Sequence, residues 1–259
     1  MTLLRFILLG LALCAPALAD GVTALRDGEA YTYRVSWGPF GSAGEIKVAA
    51  AKETADGVPH LRITTRTSTR GMVRLLFPFD GSGDSLFDLR DGRLLEAQAK
   101  TQARKERTQA SIVFDYTQAT ASYTDYLKPK RSSTLALPDG QLTDFITSLI
   151  QARSWNLTPG QSHEAVVLFD NEFYTLNITA ERIETVETAH GKKSALLLVP
   201  RMIGTPKGMF RKGGEVHVWI SDDGARLPVR FEVRLPVGTA VALLTEHHEP
   251  AAQVARLDR

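Results

Sequence analysis

The sequence predicts a mainly β protein in which antiparallel strands form a curved open barrel or a sandwich with one central amphipathic helix. Three observations predict it. Apolar and polar residues alternate along most of the chain, Gly- and Asp-containing turn signals separate the alternating runs, and one central segment follows a helical period instead. Short strands joined by such turns, without helices between them, favour antiparallel pairing over alternating strands and helices.

Alternation is clearest in four segments. It implies one buried and one solvated face, because successive side chains of a strand point to opposite sides of the sheet. The turn Asp222-Asp223-Gly224 predicts a hairpin that joins residues 215–220 to residues 227–235. The predicted inward positions are Tyr31, Tyr33, Val35 and Trp37 in the first segment, Leu61 and Ile63 in the second, Tyr174, Leu176 and Ile178 in the third, and Leu227, Val229, Phe231, Val233 and Leu235 in the fourth.

The central helix is predicted from an apolar stripe that follows Pro138 and Asp139, the latter a candidate N-cap. Packing of this stripe on the sheet is favoured over binding of a partner, because helices in water are held mainly by burying such a face. If the chain has two sub-domains, the break falls near residues 138–160. The stripe has the spacing i, i+3, i+4, i+7 and i+8 and consists of Leu142, Phe145, Ile146, Leu149 and Ile150.

The first residues have the organisation of a secretory signal. Arg5 precedes an apolar run, and an A-L-A sequence ends at Ala19 with the small residues that signal peptidase requires. We expect cleavage after Ala19 and a single soluble, β-rich periplasmic domain over residues 20–259. The apolar run is shorter than the roughly 20 residues that span a bilayer. Cys14 raises the alternative of a lipoprotein, but the bulky Leu13 before it disfavours lipidation.

Composition and charge exclude several classes of protein. The chain has 31 basic and 29 acidic residues and a formal net charge of +2, whereas a dedicated nucleic-acid-binding protein needs a marked basic excess. Cys14 is the only cysteine, so cleavage leaves no thiol for catalysis, disulfides or metal ligation. The six histidines do not have the spacing of a metal site, and the sequence contains no phosphate-binding glycine loop. We therefore expect neither a metal nor another cofactor.

The sequence predicts no catalytic residue. It does not contain the G-x-S-x-G elbow that carries the nucleophile of many hydrolases. Asp84 with Asp88, or Asp222 with Asp223, would supply the two carboxylates used in glycoside hydrolysis. Turn and cap chemistry explains the second pair better, because a hairpin turn needs aspartate at those positions.

A long loop at residues 200–214 is the predicted ligand-contact site. Its mixture of apolar side chains and cations suits an amphiphile with an anionic head group. In the alternative interpretation the loop folds back so that Met209 and Phe210 cover one end of the barrel. The predicted contact residues are Arg201, Met202, Ile203, Lys207, Met209, Phe210, Arg211 and Lys212.

Two further segments combine unusual composition with an ordinary structural explanation. Residues 71–79 are apolar and would form a wall opposite the loop, although a core strand is the favoured interpretation. The basic cluster Lys100, Arg104, Lys105 and Arg107 suits an anionic lipid or nucleic acid. It contains no aromatic residues for base stacking, so a charged strand face or a guarded sheet edge is favoured.

Three stretches of the chain resemble the bacterial domain-of-unknown-function family 3108. They are similar to the opening strand and turn, the central helix and the C-terminal hairpin of that family, and the hairpin is the most specific of the three. The resemblance covers nearly all of the chain after the signal. It implies an exported bacterial protein with no assigned activity, and it transfers no catalytic residue. The stretches are YRVSWG at residues 33–38 with AGE at 43–45, DFITSLIQAR at 144–153, and VWISDD at 218–223 with RLPV at 226–229.

Three functions remain open at this point. The favoured one is non-catalytic binding of an apolar or amphipathic envelope ligand, such as a lipid or an envelope-polymer intermediate, with peripheral membrane contact. An interaction or assembly factor for other envelope proteins is the first alternative, and a hydrolase of envelope glycans or lipids is the second. An apolar lining inside the sheet favours the first function, an apolar patch outside a filled core favours the second, and a cleft with a carboxylate pair of shifted pKa favours the third.

Overall fold

The computed structural model describes residues 25–169, 171–206, 210, 213–236 and 238–249. The predicted signal segment and its cleavage position at Ala19 lie outside these residues. Two short α-helices interrupt the strands: α1 (Gly71–Leu76) and α2 (Phe145–Gln151), the latter continued by a 3₁₀ turn at Ala152–Ser154. The strands are β1 (Ala30–Trp37), β2 (Phe40–Ala55), β3 (Val58–Thr69), β4 (Phe79–Asp88), β5 (Leu94–Ala103), β6 (Glu106–Asp115), β7 (Thr120–Asp125), β8 (Ser133–Ala136), β9 (Leu142–Asp144), β10 (Ser162–Phe169), β11 (Glu172–Thr188), β12 (Gly191–Met202), β13 (Glu215–Ser221), β14 (Pro228–Leu235) and β15 (Gly238–His248).

These 15 strands belong to one open sheet, in the order β8-β7-β6-β5-β4-β3-β2-β1-β15-β14-β13-β12-β11-β10-β9. Neighbouring strands are antiparallel except β9, which runs parallel to β10. The first and last strands pair in the middle of the sheet and join an N-terminal meander, β1–β8, to a C-terminal one. The chain passes from one outer strand of the sheet to the other over residues 137–141. The prediction of a mainly antiparallel, open β fold is confirmed, whereas the sub-domain break near residues 138–160 stays a prediction.

A continuous core covers the inner face of the N-terminal meander. This is the face toward which Tyr31, Tyr33, Leu61 and Ile63 point, and each of these side chains is buried, as the alternation predicts. Leu142 of β9 and Ile150 of α2 pack into the same core, although they belong to the other half of the chain. The two meanders therefore share buried apolar surface as well as the pairing of β1 with β15.

The C-terminal meander buries side chains on both of its faces. Leu176 and Ile178 of β11 lie in the inner core of this half, as predicted, together with Leu149 of α2. On β12, alternate residues belong to opposite clusters: Leu196 faces the inner core, and Leu197 faces an outer cluster that contains Trp219. A strand buried on both sides is a continuous apolar run, and the sequence at this point is indeed unbroken by polar residues.

One inward assignment on β14 is wrong. The pairing of β13 with β14 shifts between Trp219 and Ile220, so that Trp219 pairs with Arg230 and Ile220 pairs with Pro228. The extra residue at this β-bulge reverses the side-chain alternation. Phe231 packs against the inner core as predicted, whereas Val229 packs in the outer cluster.

Helix α2 exists where the sequence predicts a helix, but it begins later. Leu142, the first member of the predicted stripe, belongs to β9. The N-cap is Asp144 rather than Asp139, since the Asp144 carboxylate accepts a hydrogen bond from the backbone N–H of Thr147 at 2.9 Å. The preference for packing over partner binding agrees with the buried positions of Leu149 and Ile150.

Residues 71–79 are not a core strand, so the favoured interpretation of that segment is wrong. They form α1 and the turn that leads into β4 at Phe79. Within the described ranges, no helix has both the length and the hydropathy that a membrane crossing requires.

Candidate functional site

The inner face of the N-terminal meander changes from bulky to small side chains along its strands. Paired residues of neighbouring strands lie on the same face, so the strand registers define rows of side chains across the sheet. One row contains Leu61 and Phe87, which are both buried. Two rows further along, Thr65 pairs with Gly83, and Gly83 pairs with Ala99. The sheet is thus filled at one end of this face, the closed end, and lined by small residues at the other.

We call the small-residue part of this face the inner trough. It consists of two adjacent rows on β3, β4 and β5, which span roughly 10 Å across three strands. Its members are partly or fully exposed to solvent, although they occupy the face that is buried at the closed end. None of them is charged, and the threonines contribute methyl groups. The inner trough consists of Thr65, Gly83 and Ala99 in one row and Thr67, Gly81 and Thr101 in the next.

Two glycines at this end of the sheet lie close to neighbouring atoms. A Cβ atom at Gly81 would lie 3.1 Å from the Phe79 ring, so that ring leans over Gly81 and ends the inner trough beside Thr101. A Cβ atom at Gly44 would lie 2.7 Å from the carbonyl oxygen of Ser68, a distance that real Cβ atoms do not adopt. Strands β2 and β3 can therefore approach one another here only because Gly44 has no side chain.

An exposed apolar surface projects from α1, which links the end of β3 to the start of β4 beside the inner trough. Gly71 starts the helix with a φ of +55°, a conformation that residues with a side chain rarely adopt. Val73 packs inward and is buried. The remaining large side chains form what we call the apolar tip: Met72, Leu75, Leu76 and Phe77, which are 59%, 77%, 46% and 52% exposed.

Two arginines beside the apolar tip are held by carboxylates. Arg70 Nη2 lies 2.6 Å from a carboxylate oxygen of Glu45. Arg74 forms a bidentate pair with Asp80, with N–O distances of 2.9 and 2.8 Å. The hydrogen bond from Arg74 lowers the pKa of Asp80, so this pair stays ionised at neutral pH. These contacts fix the ends of the segment that carries the apolar tip.

A third arginine connects the apolar tip to the basic cluster on the β5–β6 hairpin. Arg104, at the hairpin turn, donates a hydrogen bond to the carbonyl oxygen of Leu76. Its guanidinium lies 5.3 Å from the centre of the Phe77 ring, and that ring also meets Trp37 edge-on at 5.9 Å. The cluster that the sequence marks as basic therefore borders an exposed apolar surface, which the sequence does not reveal.

A buried ion pair lies at the closed end of the same meander, beyond the start of β1. Glu29 is 0% exposed, and Arg153 binds it in a bidentate manner at 2.8 and 3.0 Å. The Tyr31 hydroxyl donates to Glu29 at 2.6 Å, the backbone N–H of Arg26 donates at 3.0 Å, and His247 Nε2 lies 3.1 Å away. The network ties the start of β1 to the segment after α2 and to the end of β15.

The protonation states within this network follow from burial and hydrogen bonding. Burial alone would raise the pKa of Glu29, but hydrogen bonds from Tyr31 and Arg153 outweigh it and hold that pKa below its ordinary value. Burial raises the pKa of Tyr31 well above its ordinary value, so the phenol stays protonated and can donate. Glu29 is thus an inaccessible carboxylate surrounded by donors, an arrangement that favours a structural role.

A cleft of about 430 Å³ lies where the β11–β12 hairpin meets the ends of β14 and β15. His190, Lys193 and His248 line it together with apolar side chains, and His190 Nε2 lies 3.1 Å from the carbonyl oxygen of Thr245. In the part of the chain that the structure describes, no three His, Cys, Asp or Glu side chains come together as a metal site would require.

The carboxylates considered for hydrolysis have structural partners. Asp84 accepts a hydrogen bond from the Thr64 hydroxyl at 2.9 Å. Asp88 is bound by Arg90 at 2.6 Å, and this hydrogen bond lowers the pKa of Asp88 to about 2. Asp223 accepts hydrogen bonds from two backbone N–H groups of its own turn at 3.1 Å, as the turn interpretation predicts.

The structure separates the predicted contact residues of the loop at residues 200–214. The loop begins later than predicted, because Arg201 and Met202 extend β12 through their pairing with β11. Arg201 pairs with Glu181 at 2.7 Å, and Ile203 is 50% exposed. Met202 packs against the inner core of the C-terminal meander, as does Phe210, whose ring lies 6.4 Å from that of Phe145. The position of Phe210 agrees with a loop that folds back, and a ligand role for the loop stays a prediction. Lys207, Met209, Arg211 and Lys212 lie outside the described residues.

Sequence reasoning missed both the inner trough and the exposure of the apolar tip. The available signal for the trough was a pair of small residues at alternate positions in three successive strands, as in Gly81 with Gly83. The signal for the tip was the combination of Gly71 and Pro78 around an apolar stretch, because glycine and proline punctuate strands.

Comparison with known proteins gives a family and a fold. The family described as "Protein of unknown function (DUF3108)" matches residues 32–245. No curated protein matches the sequence. A β-barrel-like protein of the domain of unknown function DUF1849 from Brucella abortus is similar in structure, with a TM-score of 0.56 at 7% identity over 87% of this chain and 98% of that one. A "putative exported protein with YmcC-like fold" from Bacteroides fragilis gives a TM-score of 0.37 at 11% identity over 88% of this chain and 99% of that one.

Proposed function

We propose that this chain, which belongs to the DUF3108 family of proteins of unknown function, is a non-catalytic periplasmic protein that binds the apolar part of an amphipathic envelope ligand along the inner trough. The observation that carries the proposal is the change along one face of the sheet. Bulky side chains such as Ile63 fill the closed end, and small, uncharged, solvent-accessible side chains such as Ala99 line the other.

The composition of the inner trough suits a hydrocarbon chain. Each methylene group transferred from water to apolar surroundings contributes about 0.8 kcal/mol. The methyl groups of Thr65, Thr67 and Ala99 supply apolar contact, and Gly83 leaves room for close approach to the backbone. The inner trough is three strands wide, so a hydrocarbon chain that lies across it would contact several side chains.

The Phe79 ring would bound this binding surface at its open end. Phe79 leans over Gly81 at the end of the inner trough, and α1 precedes it directly in the chain. A polar head group would then lie near Arg104, whose guanidinium already covers one side of the Phe77 ring. Binding would not involve the buried Glu29, whose carboxylate oxygens already accept hydrogen bonds from Tyr31 and Arg153.

The test is a binding titration with a fluorescent long-chain fatty acid on the purified protein and two variants of β5. Ala99→Phe fills the inner trough, whereas Lys100→Phe adds the same ring to the next residue, which points to the opposite face. Loss of contact with about two methylene groups corresponds to roughly tenfold weaker binding. We expect that loss for Ala99→Phe only. Equal binding by both variants, or no binding of the probe by the unmodified protein, would overturn the proposal.

A further inference from the structure

The apolar tip and the basic hairpin beside it also form a second surface, on the outer side of α1. We propose that this surface docks the protein on an anionic lipid bilayer, with Met72 and Leu75 entering the interfacial region and the cations of the β5–β6 hairpin meeting lipid head groups. The inference goes beyond the proposed function, because it concerns the outer side of α1 and a membrane rather than a single bound ligand.

Exposure is the first observation that supports it. Met72 and Leu75 are 59% and 77% exposed and lie next to one another along a helix of one to two turns. The buried side chain of Val73 anchors the helix to the protein, so the exposed side chains are held in a fixed position. Contiguous large apolar side chains at a protein surface typically mark a contact site for a protein, a ligand or a membrane.

The charges around the apolar tip favour an anionic partner. Residues 70–80 and 100–107 together contain six lysines and arginines and two carboxylates, whereas the whole chain has a net charge of only +2. Positive charge is therefore concentrated around the apolar surface. Each basic residue near an anionic membrane raises the partition constant by about one order of magnitude or less. The cluster therefore favours an anionic bilayer over a neutral one.

The arrangement of the rings and cations suits an interface between water and lipid. The Arg104 guanidinium lies against the Phe77 ring, and its aliphatic stem can remain in an apolar layer while its charged end reaches the head groups. Trp37, which packs edge-on against Phe77, has the amphipathic ring that is enriched at membrane interfaces. Arg70 and Arg74 are already paired with carboxylates, so Lys100, Arg104, Lys105 and Arg107 are the cations assigned to the lipid.

Sedimentation with lipid vesicles tests the inference. The vesicles contain either phosphatidylcholine alone or phosphatidylcholine with about a third of phosphatidylglycerol. Met72→Ser/Leu75→Ser removes the exposed side chains and leaves Val73 and Phe77 in place. Val113→Ser is the matched control, because Val113 is 52% exposed on β6. We expect the double variant to partition to the anionic vesicles at least about tenfold less than the unmodified protein, and the control to partition unchanged.

A charge variant and the fatty-acid titration separate this inference from the proposed function. Lys105→Glu should reduce partitioning to anionic vesicles several-fold and weaken its salt dependence. The double variant should still bind the fatty acid in the inner trough. Failure of the unmodified protein to sediment with anionic vesicles, equal sedimentation of the double variant, or capture of the apolar tip by a protein in place of lipid would each overturn the inference while leaving the trough proposal standing.

Discussion

Replacement of Arg153 by methionine should lower the free energy of unfolding by about 3 kcal/mol. Arg153 makes two hydrogen bonds to Glu29, which is fully buried. Removing one partner of a buried ion pair typically costs 3–5 kcal/mol, because the remaining charge is left uncompensated. Glu29 would keep its hydrogen bonds from Tyr31 and the backbone of Arg26, and these place the expected loss at the low end of that range. Methionine preserves most of the volume, so the charge term dominates.

The assay is urea-induced unfolding followed by the fluorescence of the three tryptophans. For a chain of this size a loss of 3 kcal/mol corresponds to a fall of about 6–12 °C in Tm. The double variant Glu29→Gln/Arg153→Met removes both charges and should be more stable than the single variant. A single-variant loss below about 1 kcal/mol, or a double variant that is less stable than the single one, would refute the reasoning.

Three other predictions concern pH, packing and one hydrogen bond. The pKa of Glu29 in the folded protein lies below its ordinary value of 4.5, so the ionised carboxylate stabilises the fold above that pH, and this stabilisation is lost as the pH falls through the folded-state pKa. The urea midpoint should therefore drop on acidification, and it should drop less in Glu29→Gln. Gly44→Ala should destabilise the protein by about 1–3 kcal/mol in the same assay, since the added Cβ would meet the Ser68 carbonyl oxygen; an unchanged midpoint would contradict this. Trp219→Phe removes a 2.8 Å hydrogen bond to Glu184 and should lower the free energy of unfolding by about 1 kcal/mol or more, in addition to the effect of the smaller ring. If Glu184→Gln lowers stability as much in the Trp219→Phe variant as in the unmodified protein, the hydrogen bond contributes nothing.

The strand pattern could be predicted because it depends on local chemistry. Side chains such as Tyr31, Leu61 and Ile178 are buried as their alternation requires, and the turn at Asp223 closes the predicted hairpin. Alternation says nothing about an interruption of the pairing, however. Val229 changes face because of a β-bulge, and a bulge adds one residue without leaving a mark in the hydrophobic pattern.

Helix boundaries were less predictable because two periods overlap. Leu142 satisfies the helical spacing of the stripe, yet it extends a parallel pairing with β10 as part of a three-residue strand. Asp139 and Asp144 are equally good N-cap residues by type, and only tertiary pairing decides that the helix begins after Asp144. In the same way, an apolar stretch such as Leu75 and Leu76 reads as buried until the structure shows that nothing among the described residues covers it.

The candidate site depends on strand register, which a single sequence does not specify. Thr65, Gly83 and Ala99 are far apart in the chain and become one row only through the pairing of three strands. Each residue alone is an ordinary strand residue. The approach of Arg104 to Phe77 likewise follows from the position of two neighbouring turns at one end of the sheet.

The central claim, that an amphiphile lies along the inner trough, is tested most directly by a polarity-sensitive fluorophore attached within it. Cys14 is the only cysteine of the chain and precedes residue 20, so protein made from residues 20–259 takes a single label at Ala99→Cys or, on the opposite face, at Lys100→Cys. Addition of a long-chain fatty acid should shift the emission of the label at position 99 to shorter wavelength and leave the label at position 100 unchanged. Equal shifts at both positions, or no shift at position 99 while the fatty acid is bound, would contradict the account.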